Sequence, residues 1–153
     1  MPSSHLTEDV IATQAAVFRQ ALAALGKPAP YDFPLLHNIV VAPDQGTALR
    51  EAGPHLEASY RVFGQWGLFK NVVGTGKEQL NLAELLAGGR VVIGAPEECA
   101  GELARLVRTG GCTRLVCRVQ WMGMEQRVIL RTIELLAERV LPLLQREGPL
   151  PHT

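Results

Sequence analysis

Arg118, Gln120 and Trp121 close the stretch RLVCRVQWMG, residues 114–123, which otherwise reads as an apolar strand. A guanidinium can hold a carboxylate, a phosphate or an aromatic face, and an indole supplies a flat wall with a single N–H donor. Strand alternation separates Leu115, Cys117, Val119 and Trp121 from Val116, Arg118 and Gln120. A buried arginine is tolerable only with a partner, so its place in such a strand asks for an ion pair, an anion or a ligand. His5 follows Pro2-Ser3-Ser4 just before the first helix, a second place where polar groups could converge on a ligand. His37 and Asn38 are adjacent inside another strand and must point to opposite faces; a lone histidine there reads as a hydrogen-bonded core residue.

Other patterns carry less. GTGKE at 74–78 has Asn71 where a phosphate loop needs its first glycine, and Glu78 where it needs a hydroxyl. GAPEE at 94–98 is a strand-to-helix turn whose free N–H groups could take an anion, but its two glutamates already occupy the positive end of the helix. No Ser-His-Asp set, His-x-x-x-His pair or spaced carboxylate pair is present, so no catalytic residue is assigned. Cys99, Cys112 and Cys117 are odd in number and lack C-x-x-C spacing; they read as buried, inert thiols and not as metal ligands, and no metal is expected.

Fifteen basic residues balance fifteen acidic ones across 153 residues and are scattered, which argues against nucleic acid or an anionic membrane as partner. No apolar run reaches the roughly 18 residues of a membrane helix, and MPSSHLTEDV lacks the layout of a signal peptide. A cytoplasmic location with reduced thiols is the expectation.

The elements that must position these residues follow from period and punctuation. Thr7 to Leu25 is a helix stopped by Gly26 and Pro28, and FPLLHNIVVA is a strand. Asp44 caps a helix running to Trp66, kinked or split at Gly53-Pro54. Residues 67–89 form a long connection, partly mobile and placed over a site, with one short helix from Leu80 to Leu86. VVIG is a short strand, Pro96 opens a helix that Gly110-Gly111 ends, TRLVCRVQW is the last strand, and Gln126 to Gln145 is the last helix. The tail, 146–153, should fray. Alternation of this kind predicts parallel strands joined by right-handed helical crossovers within a single α/β domain spanning 1–153. Near the C-terminal mouth of a closed parallel barrel, Arg118 would reach a ligand.

VIGAPEECAGELARLVRTGGCTRLVCRVQWMGM, with VILRTIELLAERVLPLL after it, closely resembles the C-terminal end of the luciferase-like, flavin-dependent monooxygenase family. There a G-x-P-E-E helix precedes the eighth strand, and a last helix carries a V-x-P-x-L pattern that Val140, Pro142 and Leu144 match. FPLLHNIVVAPD and ALREAGPHLEASYRVFGQWGLF are similar to the family's seventh strand and following helix. The resemblance implies the C-terminal portion of a TIM-type (β/α)8 barrel, from the end of the sixth strand (Pro2-Ser3-Ser4) to the eighth helix.

It also implies oxidation of an organic substrate by reduced flavin and oxygen, with FMN as cofactor or deazaflavin F420 as the alternative. Ser3, Ser4 and His5 would lie beside the flavin, and Arg118, Gln120 and Trp121 on the substrate side. A barrel of this class takes about 250 residues, so the expectation is a partial barrel that exposes strand edges and its inner sheet face. Such a chain would associate as a homo-oligomer or with a separately encoded N-terminal half. The alternative is a non-catalytic, self-associating remnant or partner subunit.

Overall fold

β1 (Pro34–Val41) is the centre of the fold. Its burial is nearly continuous because strands lie on both sides of it and helices on both faces. The computed structural model describes residues 5–28, 31–69 and 80–146. Ser3, Ser4, the GTGKE stretch within 70–79 and the tail 147–153 lie outside the described residues.

Around β1 the chain runs α1 (Glu8–Ala24), α2 (Gln45–Gln65), α3 (Leu82–Ala87), β2 (Val91–Gly94), α4 (Pro96–Gly110), β3 (Arg114–Arg118), α5 (Gln126–Leu135), a π-helical turn (Leu136–Val140) and α6 (Leu141–Arg146). The sheet is parallel, in the order β2-β1-β3. β3 pairs with the first half of β1, from Pro34 opposite Arg114 to Asn38 opposite Arg118. β2 pairs with the second half, from Asn38 opposite Val91 to Val41 opposite Gly94. Asn38 is therefore level with both the end of β3 and the start of β2.

Leaving β1 for β2 and then returning past it to β3 reverses the direction of travel, and right-handed crossovers must then place their helices on opposite faces. The core clusters show this. Val40, Ala42, Val91 and Ile93 pack with Ala48, Ala52, Leu56 and Tyr60 of α2 on one face. Ile39, Val41 and Val92 pack with Cys99, Leu103 and Ala104 of α4 and with Val140 and Leu144 on the other. The expected bare inner face is thus closed over its C-terminal half by α2. Its N-terminal half is more open, with Leu36 partly exposed and Val116 exposed at 43%.

Local chemistry sets the ends. The Asp44 carboxylate accepts from the Thr47 backbone N–H (2.8 Å) and the Thr47 hydroxyl (2.7 Å), which starts α2. Of the expected kink or split at Gly53-Pro54, the split does not occur: α2 is one helix with Pro54 inside it, with buried side chains both before and after the proline. The Glu98 carboxylate reaches back to the Ala95 N–H at 2.9 Å, so GAPEE is a self-capped turn. The short helix is shifted by a residue or two from its expected place and starts on an Asn81–Glu84 capping box. Thr7 stands at the N-cap of α1, but its side chain makes no cap hydrogen bond. The last helix runs on to Arg146 and widens into the π-helical turn just before Pro142, whose ring and missing N–H an unbroken α-helix would not accommodate. The Thr132 hydroxyl, wholly buried, bonds the Val41 N–H (3.3 Å) and carbonyl (3.2 Å) and fastens α5 to the end of β1.

β3 is shorter than expected and stops at Arg118. It is an edge strand among the described residues, and Cys117 on it is exposed, unlike buried Cys99 and Cys112. The expectation of three buried thiols fails at Cys117 because β1 pairs with only one side of that strand.

Candidate functional site

The strand's early end decides where its side chains go. After Arg118 the chain leaves the sheet, and Trp121 closes a turn in which the Met124 N–H donates to the Trp121 carbonyl at 3.2 Å. Gly123 takes φ +78, the left-handed geometry that this position of the turn requires. The Trp121 indole is thereby brought back beside Arg118 instead of standing on the opposite face, where alternation through residue 121 would have put it.

The Arg118 guanidinium lies 5.8 Å from the ring centroids of both Trp121 and Phe63. Phe63 is on α2, one turn after Tyr60, and His5 packs against both. The His5 ring meets Phe63 at 5.1 Å and Tyr60 at 5.5 Å, both edge to face. Tyr60 stacks parallel to Phe69 at 5.8 Å. Asn38 donates to the Tyr60 hydroxyl (2.7 Å) and to the Arg90 carbonyl (3.0 Å), and Arg90 Nε donates to the His5 carbonyl (2.9 Å). These bonds tie the middle of the sheet, the start of β2 and the segment before α1 into one aromatic cluster.

The electrostatics are one-sided. Burial, and then the charges of Arg118 and Arg90, depress the His5 pKa to about 4, so the imidazole is neutral at pH 7. Burial raises the Tyr60 phenol to about 12, keeping it protonated. Arg118 has no carboxylate partner among the described residues. Its Nε and Nη2 are both shielded from solvent without an acceptor. Leaving a buried donor unpaired costs about 1–3 kcal/mol, while an aromatic contact with a cation returns about 0.5–2 kcal/mol. Taken at mid-range, two aromatic faces fall short of offsetting two orphaned N–H groups. Trp121 is 4% exposed, and its indole N–H likewise has no partner.

Of the residues singled out in sequence, His5, Arg118 and Trp121 come together, so the flavin-side and substrate-side sets share one cluster. Gln120 is exposed, and no hydrogen bond links it to the cluster. Ser3 and Ser4 lie outside the described residues. Tyr60, Phe63, Phe69 and Arg90 were not foreseen. A signal existed: Tyr60, Phe63, Trp66 and Phe69 are half of the chain's Phe, Tyr and Trp residues, crowded into ten positions.

A cavity of about 470 Å³ lies elsewhere, lined by β2, α4 and Glu8 of α1. His37, wholly buried, lines it beneath Glu8, Glu98, Glu102 and Arg105. Burial takes the His37 pKa down to about 4, partly opposed by the Gly89 backbone. Arg105 is already bound to Glu8 and Glu102. This wedge holds acids and a satisfied base, whereas Arg118 is a partly buried cation without a carboxylate partner among the described residues. No group of three or more metal-ligating side chains occurs among the described residues, and no described helix is long and apolar enough to cross a membrane.

No protein-family model matches the chain, and no curated protein is similar enough to match. Solved structures do match. The monooxygenase RslO1 from Streptomyces bottropensis superposes with a TM-score of 0.70 at 20% identity, over 91% of this chain and 39% of its own. The oxygenating constituent of 3,6-diketocamphane monooxygenase from the CAM plasmid of Pseudomonas putida, a type II Baeyer-Villiger monooxygenase in complex with FMN, gives 0.68 at 14% identity, over 90% and 40%. Riboflavin lyase RcaE, with modified FMN and riboflavin as substrate, gives 0.57 at 20% identity, over 92% and 37%. The chain spans about two fifths of the length of these proteins, and across that part its fold is similar to theirs.

Proposed function

We propose that this chain forms one wall of the ligand pocket of a flavin-dependent monooxygenase acting on an organic substrate, with FMN as the cofactor. In the barrel frame, β1 stands for the seventh strand and β3 for the eighth. Their direct pairing and the match to FMN-handling structures support that reading. The observation that carries it is the Arg118 cluster, an unpaired cation set against aromatic faces at the C-terminal end of β3. Such a wall fits one side of a flat, electron-rich ring with anionic oxygens.

When bound, reduced flavin would supply the electrons that activate oxygen. The chain's own residues orient and shield. Phe63 offers flat apolar surface, buried Trp121 backs the Arg118 guanidinium, neutral His5 packs against Tyr60 and Phe63 without adding charge, and Arg118 holds negative charge where water is scarce. Incompleteness as an enzyme is part of the proposal, because a wall on one side cannot enclose most of a ligand's surface.

Titration of FMN into the chain, followed by flavin fluorescence, tests this. The expected result is weak, saturable quenching as the ring meets the aromatic wall. Absence of quenching into the millimolar range would remove the flavin from the account.

A further inference from the structure

We infer that Arg118, backed by the buried Trp121 ring, is a recognition site for an anionic oxygen, a carboxylate or a phosphate, carried by a ligand whose flat part lies against partly exposed Phe63. The inference deepens the proposed function and rests on its reading of this cluster as a ligand wall.

Three observations combine. The guanidinium has two solvent-shielded N–H groups with no acceptor, so the cluster lacks a hydrogen-bond acceptor with negative charge at a defined place. Its nearest neighbours are rings and a histidine kept neutral, and no carboxylate among the described residues pairs with it. Other arginines on the structure behave differently: Arg127 and Arg131 close on Glu51, Arg139 on Glu97, Arg105 on Glu8, and Arg90 on the His5 carbonyl. Arg118 stands apart from that pattern while being more enclosed than most of these. A planar fork that accepts two oxygens at once suits a carboxylate or phosphate better than a neutral carbonyl. The adjacent indole and phenyl faces favour a ligand with an aromatic body.

The carboxylate would come from a substrate and the phosphate from the flavin, and the choice of probes separates them. In a Trp66→Phe background Trp121 is the sole tryptophan, and its fluorescence reports binding at the cluster. Titration with benzoate should give saturable quenching about tenfold stronger in affinity than benzamide, its neutral counterpart. Arg118→Met should abolish that difference, and Arg118→Lys should keep part of it. Inorganic phosphate binding with the same dependence on Arg118, together with FMN binding more tightly than riboflavin, would support the site with the flavin phosphate as occupant. If FMN and riboflavin both fail while benzoate still outbinds benzamide, the flavin reading falls and the anion site stands.

Thermal melting supplies the second readout. Because two N–H groups are orphaned, Arg118→Met should leave the melting temperature unchanged or raise it. Equal affinity for benzoate and benzamide, no saturation by any of the anions, or a melting temperature several degrees lower in Arg118→Met would overturn the inference and make Arg118 a structural residue.

Discussion

Trp121 and Arg118 meet at 5.8 Å although three residues of strand would have sent them to opposite faces. The strand alternation is broken between them: β3 ends at Arg118, and Trp121 already begins the turn to Met124.

That turn is the first place to test. Gly123 has φ +78, and a side chain there would also stand 3.3 Å from His55 Nδ1, whose ring bonds the Met122 carbonyl. Gly123→Ala should cost about 1–2 kcal/mol, the penalty of the left-handed region for a residue with a Cβ. It should also weaken benzoate binding, since the indole moves with the turn. Urea denaturation with the fluorescence titration checks both, and a neutral Gly123→Ala would mean that the turn does not set the contact.

Trp121 itself separates packing from hydrogen bonding. Its N–H has no partner, so Trp121→Phe should lose only the packing of the missing ring, about 1–3 kcal/mol. Trp121→Ala opens the core beside Val119 and Met124 and should lose about 3–5 kcal/mol. Equal losses for the two variants would point to an indole hydrogen bond.

Much of the fold was legible in the sequence because its signals are local. Asp44 before a helical period, Pro96 with two glutamates, and Gly110-Gly111 each act on the residues next to them, and the helices start or stop there. VVIG is a strand as read, flanked by a glycine pair and a proline turn. What escaped depends on distant partners. His5 and Arg90 are 85 residues apart, and nothing near either residue announces their bond. Pro54 looked like a break, and α2 runs through it because tertiary burial of Ala52, Leu56 and Tyr60 outweighs the lost hydrogen bond. The length of β3 was overestimated because Val119 and Trp121 are apolar for a different reason: they pack in the cluster after the strand has ended.

pH provides a test of burial. His37 and His5 have pKa values near 4, below the usual 6.5 of an imidazole. The unfolded chain therefore binds more protons than the folded one between pH 6.5 and 4, so stability is full above that window and falls as pH drops through it. For wholly buried His37 the complete effect is on the order of 3 kcal/mol; partly buried His5 contributes less. Denaturant midpoints at pH 7 and pH 5 should show the decline, and His37→Gln should flatten it. A midpoint independent of pH in the unsubstituted chain contradicts the burial of both rings.

Association is the expected behaviour of the sheet edges. Among the described residues β3 presents an unpaired side, with Val116 and Cys117 exposed, and β2 has an unpaired edge beside the 470 Å³ cavity. Such edges pair with other strands unless covered. Size-exclusion chromatography with light scattering should find dimers or larger species at micromolar concentration, reduced by Val116→Lys. A monomer at all concentrations would mean that the edges are protected.

The most direct test of the ligand wall is nuclear magnetic resonance on the nitrogen-15-labelled chain, following the Trp121 indole N–H and the Arg118 Nε–H while FMN, and separately benzoate, is added. Both side-chain signals should shift together and saturate, with backbone amides near Phe63 moving alongside, because the orphaned donors gain acceptors. Shifts confined to residues lining the β2 edge, such as Val92 and Leu106, with Trp121 and Arg118 unmoved, would contradict the account and relocate the site to the large cavity.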